Sequence, residues 1–133
     1  MAHALVRAAF ALRRTLDFMH ELGIATSILE TAQREASLRP GSHVVKVGLR
    51  IGEWAGVDPE ALRFSFEALV NGYQPTPPSL EIEFLARQNH CRACGMVFVL
   101  IGFDVECPRC RAPVTEPASG DELELAYVEL EEP

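Results

Sequence analysis

Four cysteines stand in two close pairs, and their spacing is the clearest sign of chemistry in this chain. The pairs are Cys91-Arg92-Ala93-Cys94 and Cys107-Pro108-Arg109-Cys110, and the sequence has no other cysteine. In a C-x-x-C segment two thiolates bend around one ion, and two such segments complete the closed tetrahedral shell of a structural zinc. The pattern predicts a small zinc ribbon, with disulfides or a redox dithiol as the alternatives.

The zinc ribbon is expected to depend on its metal for folding. The insert that carries it, roughly residues 89–115, is far too short to bury a core of its own. Zinc binding should therefore supply its folding free energy, on the order of 10 kcal/mol for sites of this kind. Because the cysteines are spaced for metal and we find no export signal, a reducing cytoplasm is the expected compartment.

Charge narrows the classes of function. The 133 residues carry a net charge of −7, and the last thirteen of them include six acids. Nucleic-acid binding, a common use of zinc ribbons, requires a basic face that this balance does not provide. A zinc hydrolase needs an open coordination position, and four thiolates leave none. Without a membrane-length apolar run or a nucleophile–base pair, the sequence predicts a binding protein, with a zinc-ribbon adaptor or regulator as one alternative.

Residues 1–18 differ from the rest of the chain. They carry three arginines and one acid, whereas the chain from Met19 onward has nine basic and eighteen acidic residues. Their apolar residues suit a helix with Leu5, Leu12 and Leu16 near one face, and the alternative is a frayed N-terminal arm. Arginines interrupt the apolar stretch, so a secretory signal is a poor match. We expect translation to start naturally at Met19 and residues 1–18 to be a non-native extension.

The remaining chain has the periodicity of two helices and three strands. Apolar residues recur at helical spacing from Glu21 to Leu38. A second helix is expected to begin at Asp58-Pro59-Glu60, a capping residue followed by proline and an acid, and to end at Asn71-Gly72. Alternation of apolar and polar residues indicates strands near 45–51, 80–86 and 123–130, although the alternation of the last strand slips near Tyr127.

This order of elements predicts an α/β (α+β) fold. The economical packing is a small three-stranded sheet with both helices on one face, plus an inserted zinc-ribbon subdomain. We expect residues 19–88 and 116–133 to form the α/β domain and residues 89–115 to form the zinc-binding subdomain. The oligomeric state that we expect is a monomer or a weak homodimer.

Several segments in combination resemble one family. They are Met19-His20-Glu21-Leu22, the run from Ile51 to Glu67, the paired C-x-x-C segments and Ser119-Gly-Asp-Glu-Leu123. The combination is similar to the HypA/HybF hydrogenase maturation proteins over nearly all of residues 19–133. The resemblance implies a nickel metallochaperone that assists nickel insertion into [NiFe]-hydrogenase. It also implies the HypB GTPase and the hydrogenase large subunit as partners, and a structural zinc separate from the nickel site.

The resemblance places the nickel site on the Met-His-Glu start. Nickel(II) with strong nitrogen donors prefers a square plane. On this chain the donors would be the amine of Met19, the amide and ring of His20, and the amide of Glu21. Asp58 matches a family acid that lies near this site as a ligand or supporting group, and from the residues alone it is equally a helix N-cap. Glu53 lies in the turn before Asp58, and a solvated turn residue is an equally good interpretation of it.

The square plane requires Met19 to begin the polypeptide. If residues 1–18 are retained, Met19 has no free amine and the Met-His-Glu segment should bind nickel far more weakly. Met1-Ala2-His3 is itself a terminal chelate pattern for nickel or copper, which we interpret as coincidence. Of the other histidines, His43 is expected to face solvent, and His90 is expected to be a spectator beside the four cysteines.

Overall fold

The computed structural model describes residues 3–11, apart from the side chains of 7–11, and residues 21–133. In chain order the elements are β1 (His3–Ala11), α1 (Glu21–Ser37), β2 (His43–Gly52), α2 (Pro59–Val70), β3 (Ser79–Leu85), β4 (Gln88–His90), β5 (Val97–Val99), β6 (Glu116–Ser119) and β7 (Leu123–Glu131). Within these ranges, no helix combines the length and the apolar character needed to cross a membrane.

The larger of two sheets has the strand order β1-β7-β2-β3. Strand β2 runs parallel to β3 and antiparallel to β7, and β1 is antiparallel to β7. Helix α2 forms the crossover between the parallel strands, and both helices share one buried cluster with the sheet. The predicted α/β (α+β) fold is therefore confirmed, and β7-β2-β3 corresponds to the predicted three-stranded sheet.

The fourth strand, β1, corrects our prediction for the N-terminal residues. We expected a helix or a frayed arm, whereas His3–Ala11 is an edge strand paired with β7. Alanine, leucine and arginine favour a helix when they are considered locally. The edge of β7 offers a hydrogen-bonding ladder from a distant part of the chain, and such context overrides local propensity. Leu12 and Leu16, which we placed on the helix face, lie outside the described residues.

The buried cluster distinguishes the two faces of the larger sheet. Helix α1 contributes an apolar stripe with three- and four-residue spacing, and α2 contributes a shorter stripe centred on Phe66. The largest fully buried side chains of the cluster are Phe66, Ile28, Leu49, Ile51, Leu62, Leu125 and Leu130. The opposite face carries ion pairs between strands, such as Lys46 with Glu81 at 3.4 Å.

The smaller sheet has the order β5-β4-β6 and contains the four cysteines in its loops. It begins at Gln88 and ends at Ser119, slightly beyond the predicted insert at both ends. Its buried cluster is separate and consists of Cys91, Phe98, Leu100 and Cys107. Two cysteines are thus half of this cluster, and the dependence of the insert on its metal for folding stays a prediction.

The predicted slip in the last strand is a β-bulge. The register between β2 and β7 shifts after Gly48, which leaves Ala126 as an extra residue on β7. The Tyr127 ring lies over Gly48, where an added Cβ would come within 2.0 Å of the ring atom Cε1. Burial of the ring, followed by its hydrogen bond to Glu81, raises the pKa of Tyr127 to about 12. The tyrosine is therefore neutral at physiological pH and covers the glycine.

We predict that Gly48→Ala destabilises the protein because the new methyl group and the Tyr127 ring cannot occupy the same space. Overpacking of this kind costs about 1–3 kcal/mol in free energy of unfolding, measurable by urea denaturation. In a Tyr127→Ala background the same substitution should cost much less. Equal costs in the two backgrounds would show that the ring does not restrict this position.

Candidate metal centre

The structure brings Cys91, Cys94, Cys107 and Cys110 together, as the sequence predicts. Their four sulfur atoms all lie within 4.8 Å of one another. The Sγ atoms are 3.5 Å apart between Cys91 and Cys110 and 3.6 Å apart between Cys94 and Cys107. A disulfide requires about 2.05 Å, whereas four sulfurs around one zinc at about 2.3 Å stand about 3.8 Å from each other. The arrangement fits a tetrahedral ion and not disulfides, and all four cysteines are free.

The two cysteine pairs have the same backbone construction. In the first loop the Cys91 N–H donates to Met96 O at 2.8 Å, and the Gly95 N–H donates to Cys91 O at 2.8 Å. In the second loop the corresponding bonds run from Cys107 to Ala112 and from Arg111 to Cys107, both at 3.0 Å. These bonds fold each loop tightly enough to aim both of its sulfurs at one point.

One position differs between the two loops. The residue after the second cysteine has a positive φ in both, +81° for Gly95 and +67° for Arg111. Glycine adopts this conformation freely, whereas arginine carries a steric cost of roughly 1–2 kcal/mol there. The second loop therefore carries backbone strain that the first loop does not.

Backbone amides and neighbouring thiols set the proton affinities of the second pair. The backbone amide of Cys110 is the main reason that the pKa of Cys107 falls to about 6. The backbone amide of Ala112 lowers the pKa of Cys110, but hydrogen bonds to the other thiols and burial together raise it to about 11. One thiolate therefore forms readily at neutral pH. A bound metal must displace the remaining protons, so metal affinity should increase with pH.

Neither described histidine outside β1 joins the cysteine shell. The His90 ring lies next to Cys91 in sequence, but its Nδ1 atom is 3.1 Å from Glu116 Oε1 across β4 and β6. The hydrogen bond to His90, together with Arg92, lowers the pKa of Glu116. This agrees with the prediction that His90 is a spectator. His43 starts β2 with its ring 30% exposed and its Nε2 atom 3.9 Å from a Glu131 carboxylate oxygen.

The C-terminal end of β2 connects the two ends of the insert that carries the four cysteines. Strand β2 lies between β3, from which the chain enters the insert, and β7, by which it leaves. The Glu53 N–H donates to Leu85 O at 2.8 Å on the entry side, and the Trp54 N–H donates to Gly120 O at 2.6 Å on the exit side. Residues 52–54 therefore hold the two ends of the insert next to each other.

Side chains reinforce this junction. Glu53 Oε2 accepts a hydrogen bond from the Arg87 N–H at 2.9 Å, and the Arg87 guanidinium carbon lies 3.2 Å from the centroid of the Trp54 ring. Gly120 has a φ of +126°, and an added Cβ would come within 2.8 Å of Arg87 Cα. Glu53 is an exposed turn residue, as the sequence indicates, and its carboxylate also holds the Arg87 backbone at this junction. We did not identify Trp54 and Arg87 from the sequence, where nothing relates residue 54 to residue 87.

The predicted nickel residues are only partly visible. Met19 and His20 lie outside the described residues. Glu21 begins α1, where its carboxylate favours the positive end of the helix dipole. Asp58 is the N-cap of α2, and its Oδ1 atom accepts a hydrogen bond from the Glu60 N–H at 3.0 Å. The interpretation of Asp58 as a helix cap is thus correct, and a contribution to nickel binding stays a prediction.

Comparison with known proteins identifies the relatives of the chain. Residues 19–130 match the family described as "Hydrogenase/urease nickel incorporation, metallochaperone, hypA". The chain belongs to the HypA family. The hydrogenase maturation factor HypA of Chlorobium limicola is 36% identical over 114 residues, which are 86% of this chain and 98% of the relative. HypA of Geobacter metallireducens is 34% identical over 113 residues, 85% of this chain and all of the relative.

Solved structures support the same fold. One described as the solution structure of HypA protein is 22% identical, with a TM-score of 0.62, and covers 85% of this chain and 97% of that chain. The solution structure of the Ni metallochaperone HypA from Helicobacter pylori is also 22% identical, with a TM-score of 0.50. The HypA family match begins at residue 19, so it includes both helices and the cysteine loops but leaves β1 outside.

We predict that Cys91→Ser releases the ion from the cysteine shell and loosens the smaller sheet. The wild-type chain should contain about one zinc per molecule, and the variant should contain much less by elemental analysis. Hydrogen exchange should increase in β4 to β6, because Cys91 is a buried member of the Phe98 cluster of this sheet. His90→Ala is the matched control, since it changes the neighbouring residue and should retain zinc. A full zinc complement in Cys91→Ser would contradict this assignment.

We also predict that Gly120→Ala destabilises the junction by about 1–3 kcal/mol. The substitution forces an alanine into a positive φ and pushes its Cβ against the Arg87 backbone. Gly72→Ala is the control, because Gly72 also has a positive φ of +87° but has no atom within 4 Å of the new Cβ. A loss of stability no larger than that of Gly72→Ala, measured by denaturant unfolding, would argue against close packing at Gly120.

Proposed function

We propose that this HypA-family protein is a nickel metallochaperone that assists nickel insertion into [NiFe]-hydrogenase during its maturation. The family match supports the proposal, because it spans residues 19–130 and the description of the family names nickel incorporation. In this proposal the chain is a cytoplasmic protein that carries nickel and does not catalyse a reaction. Its partners are the HypB GTPase and the hydrogenase large subunit.

The four cysteines have a structural role in this proposal, with zinc as the ion. With four thiolates the shell would be closed and would leave no coordination position open. Neither a substrate nor a ligand for the transfer of nickel to a partner could then bind there. Among the described residues the cluster around them is small, and its buried members besides two cysteines are Phe98 and Leu100. Zinc would therefore stabilise the smaller sheet while nickel is carried elsewhere.

Nickel is proposed to bind at the start of the Met19-initiated chain. The donors are the Met19 amine, the His20 amide and ring, and the Glu21 amide, with Asp58 as a nearby supporting group. Glu21 and Asp58 each stand at the N-terminal end of a helix, α1 and α2, so both carboxylates are already held where a helix dipole favours negative charge. Because the backbone amides must lose protons, nickel should bind more tightly as the pH rises.

We predict that His20→Ala abolishes nickel binding in the chain that starts at Met19. About one nickel per chain should be lost, because the imidazole closes the chelate that the amine begins. Nickel titration followed by calorimetry measures this loss, and zinc content and unfolding should stay unchanged. His43→Ala is the matched control, because it removes an imidazole that lies on β2.

The full chain provides the second half of this test. With residues 1–18 in place it should bind nickel far more weakly, since Met19 then has an amide in place of an amine. Tight, His20-dependent nickel binding by the full chain would contradict the proposed coordination. Mass spectrometry of the protein from its native cells tests the natural start, and an N-terminus at Met1 or Ala2 would refute initiation at Met19.

A further inference from the structure

The outer edge of β7 is covered by a strand that the HypA family match does not include. Strand β1 pairs antiparallel with β7 from His3 opposite Glu131 to Ala11 opposite Glu124. The family match starts only at residue 19, whereas β7 belongs almost entirely to the matched region. The edge thus belongs to the matched region, and the strand that covers it, residues 3–11, lies outside that region.

The two sides of β1 meet different surroundings. Val6 is opposite Val128, which is fully buried, and Val6 packs against the main core cluster. Leu5 points to the other face, is 52% exposed and lines a groove of about 590 Å³ together with Tyr127. A strand on this edge therefore needs an apolar residue on its helix-facing side.

The solvent-facing side of the same edge is acidic. His3 Nδ1 lies 3.5 Å from Glu129 Oε1, and His3 Nε2 lies 3.7 Å from Glu131 Oε2. Both carboxylates belong to β7, so an incoming strand meets two negative charges two residues apart. An imidazole or a basic side chain at the position of His3 complements them, and an acidic one would be repelled.

The same charges disfavour a second copy of β7 on this edge. Pairing two β7 strands would bring together two edges that each carry Glu124, Glu129 and Glu131. Cross-strand like charges are destabilising, and no basic residue of β7 offsets them. The edge therefore favours a strand of different composition over a copy of itself.

We propose that the outer edge of β7 is a strand-binding site for an extended peptide segment with apolar residues on one side and histidine or basic residues on the other. In the full chain residues 3–11 occupy this site in cis, whereas the chain that starts at Met19, on which the proposed nickel site depends, leaves the site uncovered. A partner segment of the same chemistry adds to the sheet by main-chain hydrogen bonding, with the acidic row setting its specificity, and competes with β1 for the edge.

The test uses the full chain and a synthetic peptide of residues 1–12. The double substitution Leu5→Pro/Val6→Pro should release β1. Alternate backbone N–H groups of an edge strand point toward its partner strand, so one of the two prolines removes a hydrogen-bond donor to β7. The labelled peptide should then bind the double variant at least about tenfold more tightly than the wild-type chain, by fluorescence anisotropy. Hydrogen exchange of β7 amides should increase in the variant and decrease again when the peptide is added.

Charge reversal tests the specificity of the site. Adding Glu129→Lys and Glu131→Lys to the proline variant should abolish peptide binding, and a peptide carrying His3→Glu should restore it in part. Glu83→Lys is the matched control, since it reverses a charge on β3 of the same sheet face and should leave binding unchanged.

A variant without proline controls for misfolding of the double proline variant. His3→Glu in the full chain places a carboxylate opposite Glu131 and should weaken β1 without a proline, again increasing peptide affinity. Unchanged zinc content and unchanged exchange in β2 and β3 verify that either variant is folded. The proposal is overturned if the folded variants do not bind the peptide or if neither charge reversal changes the affinity for the peptide. It is also overturned if chains whose β1 is released pair with each other through β7.

Discussion

The position of β2 between β3 and β7 is the constraint on which the rest of the structure depends. The chain leaves the larger sheet on one side of β2 and returns to it on the other, so residues 52–54 hold both crossings with backbone hydrogen bonds. The smaller sheet is thereby attached to the larger one at the end of β2. Its two ends approach closely enough that only glycine fits at position 120, against the backbone of Arg87.

Most of the larger sheet could be predicted from the sequence, because its signals are local. Helical spacing in α1, the Asp-Pro-Glu start of α2 and the alternation in β2, β3 and β7 are each contained within one segment. Even the bulge at Ala126 was detectable as a break in alternation. Strand β1 was not predictable, because its conformation depends on an edge more than a hundred residues away and its composition favours a helix.

The candidate metal centre and the junction beside it could also be predicted only in part. The cysteine shell could be predicted because spacing alone specifies it, and Asp58 as a cap because the signal spans three residues. The contact of Trp54 with Arg87 could not, since it is created where β3 ends beside the end of β2 and leaves no periodic trace. The resemblance of two distant runs, 51–67 and 119–123, to one family gave no sign of Arg87, which lies in neither run, although the structure shows that the two runs meet.

The placement of the cysteines within the chain affects the folding of the larger sheet as well as the smaller one. Between the end of β3 at Leu85 and the start of β7 at Leu123 the chain forms a long loop, and an ion joining Cys91 to Cys110 would bypass about half of it. Halving a loop lowers the entropy cost of bringing its ends together by about 0.6 kcal/mol. Metal held by the cysteines would thus make it easier for β7 to find β2, although it touches neither strand.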